Sequence, residues 1–407
     1  VLDENGRKMS KSLGNVIWAN SLLEEQSVDV SRFYLMWKCS PIESMNFDIK
    51  EMNKRPYQIL STFYHLNRFL LQNAEYDNFN PKIHTVEWAS NEGQLKPPEK
   101  WLLSKLQSLI ESVTDHIENC EFNVALSELE EYIVNTISRQ YVPMVRRNLW
   151  TDDPETLNRR LAIYTTLWHA LRTVNLLLNP TTPYLCEFLH QSVYRRLDKT
   201  LPESVNFESW PTPEDRLVDS EVEEDVNVLI KGISLVYSAR QLGGMKRRWP
   251  LRKAWIIAPE TVHASIRRLE PFFLELSNVK EIEYLDEKEK LDPEVRKYLT
   301  EASEGEITVA LDTRRDELLV GEGLMRDLAR RVQSLRKELG YIPTDILERV
   351  YIAGLTEEDI GLLEPFKEEM LVLVRSKNVE LSEEKTGTGM EWHEMKLDKK
   401  RIYIAIT

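Results

Sequence analysis

Apolar residues recur along this chain with helical spacing in its first half and in shorter, strand-like runs in its second. Val28, Val30, Phe33, Tyr34 and Met36 supply the apolar side of a short helix over 29–37, preceded by another near 21–25. Cys39-Ser40-Pro41 interrupts the pattern, and 43–48 reads as a connector. From 49 to about 74, Tyr57, Ile59, Leu60, Phe63, Tyr64, Leu66, Phe69 and Leu70 predict a long helix. Residues 76–98 are polar and hold Pro81, Pro97 and Pro98, which predicts a connection with little regular structure. Trp101, Leu102, Leu106, Leu109, Ile110, Val113 and Ile117 then recur three and four apart, and Phe122, Leu126, Leu129, Ile133 and Ile137 do so again. A further helix over 160–178 is stopped by Asn179-Pro180, and one from Thr182-Pro183 to about 197 has Thr as N-cap and Pro at its first position. Long helices in succession predict an antiparallel bundle.

After a helix over 221–242, ended by Gly243-Gly244, the pattern changes. Runs at 254–258, 279–285, 307–311, 350–353, 379–381 and 402–406 are β-like, and helices are predicted near 262–276, 317–339 and 357–374. No fixed-period repeat is visible. The fold class is therefore mainly α, a helical bundle followed by a smaller α+β region. The expected divisions are 1–48, 49–215 and 216–407.

The totals narrow the class. A chain of 407 residues, 42% apolar and 29% charged, suits a soluble protein of two or three domains. No apolar run approaches the roughly 20 residues of a membrane span, so no membrane role is expected. No signal pattern is present, and the chain does not begin with Met. Cys39, Cys120 and Cys186 are scattered, and neither Cys-x-x-Cys nor His-Glu-x-x-His occurs, so no zinc or other metal site is expected and the thiols read as reduced and cytoplasmic. A net charge of −14 argues against nonspecific nucleic-acid affinity. The charge is uneven, however. Residues 214–225 are acidic and read as a solvated helix start, whereas 238–253 hold Arg240, Lys246, Arg247, Arg248, Arg252 and Lys253 with no acid.

The most specific stretch is Gly6-Arg7-Lys8-Met9-Ser10-Lys11-Ser12-Leu13-Gly14-Asn15. Two lysines three apart, interleaved with serines and bracketed by glycines, suit a mobile loop closing over a phosphate chain; a plain solvated loop is the alternative. The five residues Lys8 to Ser12, with these flanks, resemble the KMSKS signature loop of class I aminoacyl-tRNA synthetases. In that family an amino-acid carboxylate attacks the α-phosphorus of ATP, brought with Mg2+, and pyrophosphate leaves. The resemblance implies that Lys11 stabilises charge on the leaving phosphates with Lys8 assisting, and that Lys8, Met9, Ser10, Lys11 and Ser12 contact ATP.

Two further clusters could meet RNA. Arg139, Arg146 and Arg147 lie near the end of a long helix, with Tyr141 and Trp150 beside them; 139 and 146 share a face if the helix continues through Pro143. Arginine bonds phosphate and Trp stacks on bases, but cations also suit helix C-termini and Trp150 can be core. Lys246, Arg247, Arg248, Trp249 and Arg252 follow a glycine-broken helix end, as a backbone-phosphate site or a solvated turn would. The first segment resembles a run in the helical anticodon domain of isoleucyl- and valyl-tRNA synthetases. The second is similar to the isoleucyl-type "R-x-P-L-R" element, with Gly243-Gly244 where Ala-Gly is commoner. The histidines do not cluster and read as surface or partly buried residues, and Trp101 and Trp168 as core.

The order of the loop, bundle, basic turn and α+β region resembles that of isoleucyl-tRNA synthetases of the archaeal/eukaryotic type. Residues 44–48, 309–313, 321–327 and 332–337 carry that choice. The resemblance implies binding of tRNA(Ile), isoleucine and ATP by a monomeric parent enzyme. The chain is expected to be its C-terminal portion, from an engineered piece or a partial gene, and inactive alone because neither a HIGH motif nor an editing domain is visible. A valyl-type fragment, a stand-alone tRNA-binding module and a protein scaffold remain the alternatives.

Overall fold

Helices carry the first half of the chain and two small sheets the second, in a computed structural model that describes residues 1–150, 153–342, 345–386, 390–397 and 400–407, without the side chains of Trp150 and Glu289. Contacts divide the chain into two units, Val1–Val226 and Asn227–Thr407.

The first unit is helical. Its main elements are α1 (Ala19–Glu25), α2 (Val28–Trp37), α3 (Arg55–Tyr76), α4 (Pro97–Glu118), α5 (Phe122–Glu130), α6 (Leu157–Leu178) and α7 (Pro183–Leu189). α6 is buried on nearly every side and forms the centre of the bundle. Three charged groups deep inside the bundle are matched. Arg160 clasps Asp77 through two bonds of 2.7 and 2.8 Å, and Tyr164 donates to the same carboxylate at 2.7 Å. Arg159 and Tyr141 meet at the fully buried Glu99. Such pairing is what makes buried charge tolerable.

Prolines explain where the helices depart from the expected bounds. The helix expected from 49 is interrupted at Lys54, because Pro56 has no N–H and fits only a first turn. Pro97 and Pro98 likewise start α4 rather than belonging to a loop, and the expected connection also holds a helix, Val86–Asn91, capped by Thr85. The helix of α5 does run through Pro143, by changing register. Glu131–Tyr141 is π-helical, and the Val142–Val145 turn follows. The wider turn accommodates a residue that cannot donate and whose ring crowds the carbonyl four positions back.

The second unit repeats one design twice. α8 (Ser220–Leu242) begins in the first unit and ends in the second. After it come β1 (Leu251–Ile257), α9 (Glu260–Arg268), α10 (Glu270–Ser277), β2 (Val279–Leu285) and the hairpin β3 (Leu299–Glu304) and β4 (Ile307–Asp312). Then α11 (Glu317–Glu338) precedes β5 (Val350–Ala353), α12 (Glu357–Leu363), α13 (Lys367–Val374), β6 (Val379–Ser382) and the hairpin β7 (His393–Leu397) and β8 (Lys400–Ile406). The sheets have orders β2-β1-β4-β3 and β6-β5-β8-β7, each with one parallel pair and two antiparallel pairs. In both copies the crossover is two helices parted near a proline, Pro271 or Pro365. Each copy also buries one arginine. Arg240 donates to the carbonyls of Ser277 and Asn278 at 2.8 and 3.0 Å, and Arg336 to those of Val374 and Arg375 at 2.6 and 3.3 Å. Each thereby partners the last helical carbonyl, that of Ser277 or Val374, where a crossover helix ends in a left-handed residue, Asn278 or Arg375.

Candidate functional site

The lysine loop stands on a small clasp. Asp3 accepts from the backbone N–H of Asn5 at 3.0 Å and of Arg7 at 2.8 Å, and its other oxygen accepts from the Asn15 amide at 2.9 Å. These bonds, that from Asn15 foremost, hold the Asp3 carboxyl below the usual range. Asn15 in turn accepts from Ser10 N–H at 2.9 Å and donates to the Lys8 carbonyl at 3.2 Å. One amide thus ties both edges of the loop to the turn before it. Within the loop Ser10 caps a single turn, Lys11–Leu13, and Gly6 and Gly14 take the left-handed angles that the bends require. Lys8, Lys11 and Ser12 are exposed, whereas Met9 and Ser10 are partly covered. The Lys11 ammonium lies 5.2 Å from the centre of the Trp18 ring. Leu2 joins this assembly to the connector through backbone bonds to Met45 and Phe47 at 2.7 and 2.9 Å.

α2 carries that assembly onto the bundle. Tyr34 bonds Glu51 and the Asp48 N–H, and Trp37 donates to Glu130 at 2.8 Å. Asp29 accepts from the first N–H groups of α7, those of Tyr184 and Leu185. Three residues on, Arg32 donates to the carbonyls of Pro180 and Thr181, both at 2.9 Å. Burial raises the Asp29 carboxyl against the pull of the bonds it accepts.

The bundle arginines fall into two situations. Arg139 projects from the π-helical stretch, is exposed and donates to Asn135 at 2.9 Å. Together with Arg55, Tyr57, Gln58 and His65 it lines a cavity of about 370 Å³. Arg146 and Arg147 are also exposed, at the turn where the helix ends; the side chain of Trp150 lies outside the described residues.

In the second unit the basic turn is organised by one buried acid, Asp327 on α11. Arg248 pairs with it, Lys246 approaches within 3.6 Å, and the Trp249 indole donates to it at 3.0 Å. The Trp249 ring lies against Gly323, where a Cβ would come within 2.6 Å of it. Arg247 instead stacks 3.9 Å from the centre of the Tyr237 ring, and Arg252 pairs with Asp316. Arg240 is buried beneath this turn; burial lowers it to about 10, so it stays charged at neutral pH.

Glu260, His263 and Asp286 bring one ligating atom each within 4.8 Å, but Arg267 pairs with Glu260 and Lys290 with Asp286, so both carboxylates already have cationic partners. No described helix is long and apolar enough to cross a membrane.

Residues 1–48 match the family described as "tRNA synthetases class I (I, L, M and V)", and residues 99–255 match the "Anticodon-binding domain of tRNA ligase". The isoleucine–tRNA ligase of Pyrococcus furiosus is 30% identical over 97% of this chain and 41% of its own length. That of Methanopyrus kandleri is 30% identical over 89% of this chain and 38% of its own length. The chain is homologous to part of the isoleucine–tRNA ligases. It spans about two fifths of the length of these relatives. Among solved structures, the LeuRS of Agrobacterium radiobacter in a ternary complex with tRNA is loosely similar, with a TM-score of 0.40 and 23% identity over 53% of this chain and 23% of its own.

Within this ligase-homologous chain, the anticodon-domain match runs from α4 into β1. The structure adds roles that no sequence pattern assigns: Asp3 and Asn15 as the clasp of the signature loop, Asp327 as anchor of the basic turn, and the α3 wall of the cavity. Only Asn15 has a local signal, as the loop's flank. An acid on an amphipathic helix gives no sign in sequence that it will be buried.

Proposed function

We propose that this chain is the part of an isoleucine–tRNA ligase that closes the ATP site and holds tRNA(Ile). The observation that carries the reading is the intact Lys8 to Ser12 run, its two ammonium groups exposed above a clasp formed by Asp3 and Asn15. In the proposed activity isoleucine attacks the α-phosphorus of ATP, brought with Mg2+, and pyrophosphate departs before transfer to tRNA. Negative charge grows on the leaving phosphates, and a preorganised Lys11 ammonium favours that state over the ground state. Lys8 assists, and Met9, Ser10 and Ser12 complete the contact with ATP.

Residues 1–48 are the edge of the catalytic domain, 49–215 the anticodon-binding domain and 216–407 the tRNA-supporting region. Arg139, Arg146, Arg147 and Trp150 face the anticodon arm in this reading. In the basic turn the roles divide: Arg247 offers its guanidinium to phosphate, whereas Lys246, Arg248, Trp249 and Arg252 set the turn's shape through Asp327 and Asp316 and reach RNA from that frame. The setting proposed is the cytoplasm, with a monomeric parent enzyme.

Filter binding of tRNA to this chain over a range of salt tests the reading. Isoleucine tRNA is retained in preference to others, and neutralising Arg147 and Arg247 reduces the salt slope by about one for each phosphate that is no longer neutralised. Retention without preference among tRNAs would contradict it.

A further inference from the structure

Two adjacent strands of the second unit end together and bring three ligating side chains to one point. β1 and β2 are parallel, Ile257 lies opposite Leu285, and the Ala258 N–H donates to the Leu285 carbonyl at 3.1 Å. The chain leaving β1 enters α9 at Glu260, and the chain leaving β2 runs straight into Asp286. Glu260 and His263, three apart, share one face of α9. One ligating atom from each of the three residues lies within 4.8 Å of the others. We propose that Glu260, His263 and Asp286 bind a divalent metal ion of the zinc class, independently of the tRNA-binding reading.

The decisive group is the buried imidazole. His263 is 1% exposed, and its Nε2 lies 3.2 Å from the Ile256 carbonyl oxygen, which can only accept. Nε2 therefore holds the hydrogen, and in the neutral ring Nδ1 keeps a lone pair. That lone pair faces Glu260 Oε2 at 3.4 Å, and a carboxylate has no hydrogen to give. Two acceptors so placed, one of them buried, call for a cation between them. A metal ion fits the arrangement, because a ligating histidine gives its other ring N–H to a carbonyl or carboxylate that fixes tautomer and orientation. Tyr284 also steadies the ring, edge-on with 5.3 Å between centres.

The duplicated design supplies a comparison. α12 begins at Glu357, and three residues on is Ile360, which packs against the core of the second copy. α9 begins at Glu260, and three residues on is His263. An apolar side chain thus fills this step of the fold in one copy, so packing alone does not require an imidazole in the other.

Charge and spacing agree. Both carboxylates are exposed, and their cationic partners take one oxygen each: Arg267 pairs with Glu260 Oε1 and Lys290 with Asp286 Oδ2. Exposed pairs of this kind are weak and do not bar a divalent ion. Lys290 holds the Asp286 carboxyl below its usual range and so in the ionised form that a ligand needs. Zinc bonds of about 2.0–2.2 Å set neighbouring donors about 3.3 Å apart, so Glu260 and His263 stand at that spacing and Asp286 draws in by at most about 1.5 Å. Three protein ligands leave a fourth position for water. An ion held there joins the start of α9 to the end of β2.

The test is calorimetric titration of zinc into the metal-free 407-residue chain, with Glu260→Ala and His263→Ile as variants. Glu260→Ala alters an exposed side chain, His263→Ile introduces the residue type found at the corresponding step of α12, and circular dichroism checks that each folds. We expect one zinc per chain and at least about a tenfold loss of affinity in each variant, since losing even a ligand's supporting partner costs roughly 10–100-fold. The His263 Nδ1 resonance should move when zinc is added to the 15N-labelled parent. No zinc bound, or parental affinity in either folded variant, would overturn the site. An Nδ1 resonance showing a bound hydrogen that zinc does not displace would also overturn it, by assigning the cation between the two groups to a proton.

Discussion

The Arg248 guanidinium and the Asp327 carboxylate, 79 positions apart, form an ion pair in which the acid is 2% exposed and the base 34% exposed. The asymmetry sets what each contributes. Arg248 keeps access to water, whereas Asp327 also takes Trp249 and faces Lys246. Replacing the acid removes the acceptor of a partly buried indole N–H and the carboxylate with which Arg248 pairs. Asp327→Ala is therefore expected to destabilise the second unit by about 1–3 kcal/mol, the cost of leaving a polar group without its partner and less than the roughly 3–5 kcal/mol of breaking a fully buried pair, because Arg248 can hydrate. Urea denaturation reads this directly, and an unchanged midpoint would refute it. Arg248, once released, should raise tRNA affinity at low salt.

Asn15 holds the signature loop by its amide alone, so Asn15→Ala should loosen the loop without altering its lysines. In a protein that also carries the ATP pocket, Lys11→Ala is expected to slow ATP–pyrophosphate exchange by about 10²-fold or more, as removal of a transition-state interaction does, with little change in tRNA affinity. Asn15→Ala should give a smaller loss of the same kind. Exchange at the parental rate with Lys11→Ala would sink the assignment of that lysine.

Two glycines on neighbouring helices should respond oppositely to alanine. Helix propensity favours alanine by about 1 kcal/mol. At Gly361 in α12 a Cβ meets nothing within 4 Å, so Gly361→Ala should stabilise by up to that amount. At Gly321 in α11 it would fall 2.3 Å from the Leu362 carbonyl oxygen, which only a shift of one helix can relieve. Overpacking costs of about 1–3 kcal/mol exceed the propensity gain, and Gly321→Ala should destabilise. Thermal midpoints of the two variants that move in the same direction would contradict the packing.

His116 bonds Glu121 at 2.6 Å, and that bond, with Glu128 adding to it, raises the imidazole above its ordinary value. A pKa raised by folding stabilises below the unfolded value of about 6.5, and the contribution is lost as pH rises through the higher folded value. The pair is exposed, so the effect belongs in a titration more than in a melting curve. NMR should place the His116 midpoint above that of a free histidine, and Glu121→Gln should bring it back. An unmoved midpoint in Glu121→Gln would assign the shift elsewhere.

Much of this architecture is legible from apolar spacing, and where it is not, particular residues explain why. Pro56, Pro97, Pro271 and Pro365 lie in or beside the first turn of a helix as easily as in loops, and spacing alone does not distinguish them. β3 and β7 escape the pattern because a hairpin's outer strand buries little: Leu299–Glu304 has no buried residue to betray it. The duplicated design of the second unit leaves no periodic trace because only isolated features recur, among them Arg240 with Arg336 and Asn278 with Arg375. In the candidate site the lysines announce themselves as a contiguous run. The α3 wall and Arg139, 70 or more positions apart, meet only through helix packing.

The central claim is that the helical bundle and the unit after it hold tRNA(Ile) by its anticodon arm. Equilibrium competition tests it most directly: labelled isoleucine tRNA bound to this chain is displaced by unlabelled isoleucine tRNA or by the same tRNA with its anticodon replaced. The account predicts that the altered tRNA competes at least about tenfold more weakly, as expected when one or more stacked or paired bases are lost. Equal competition by both would contradict it.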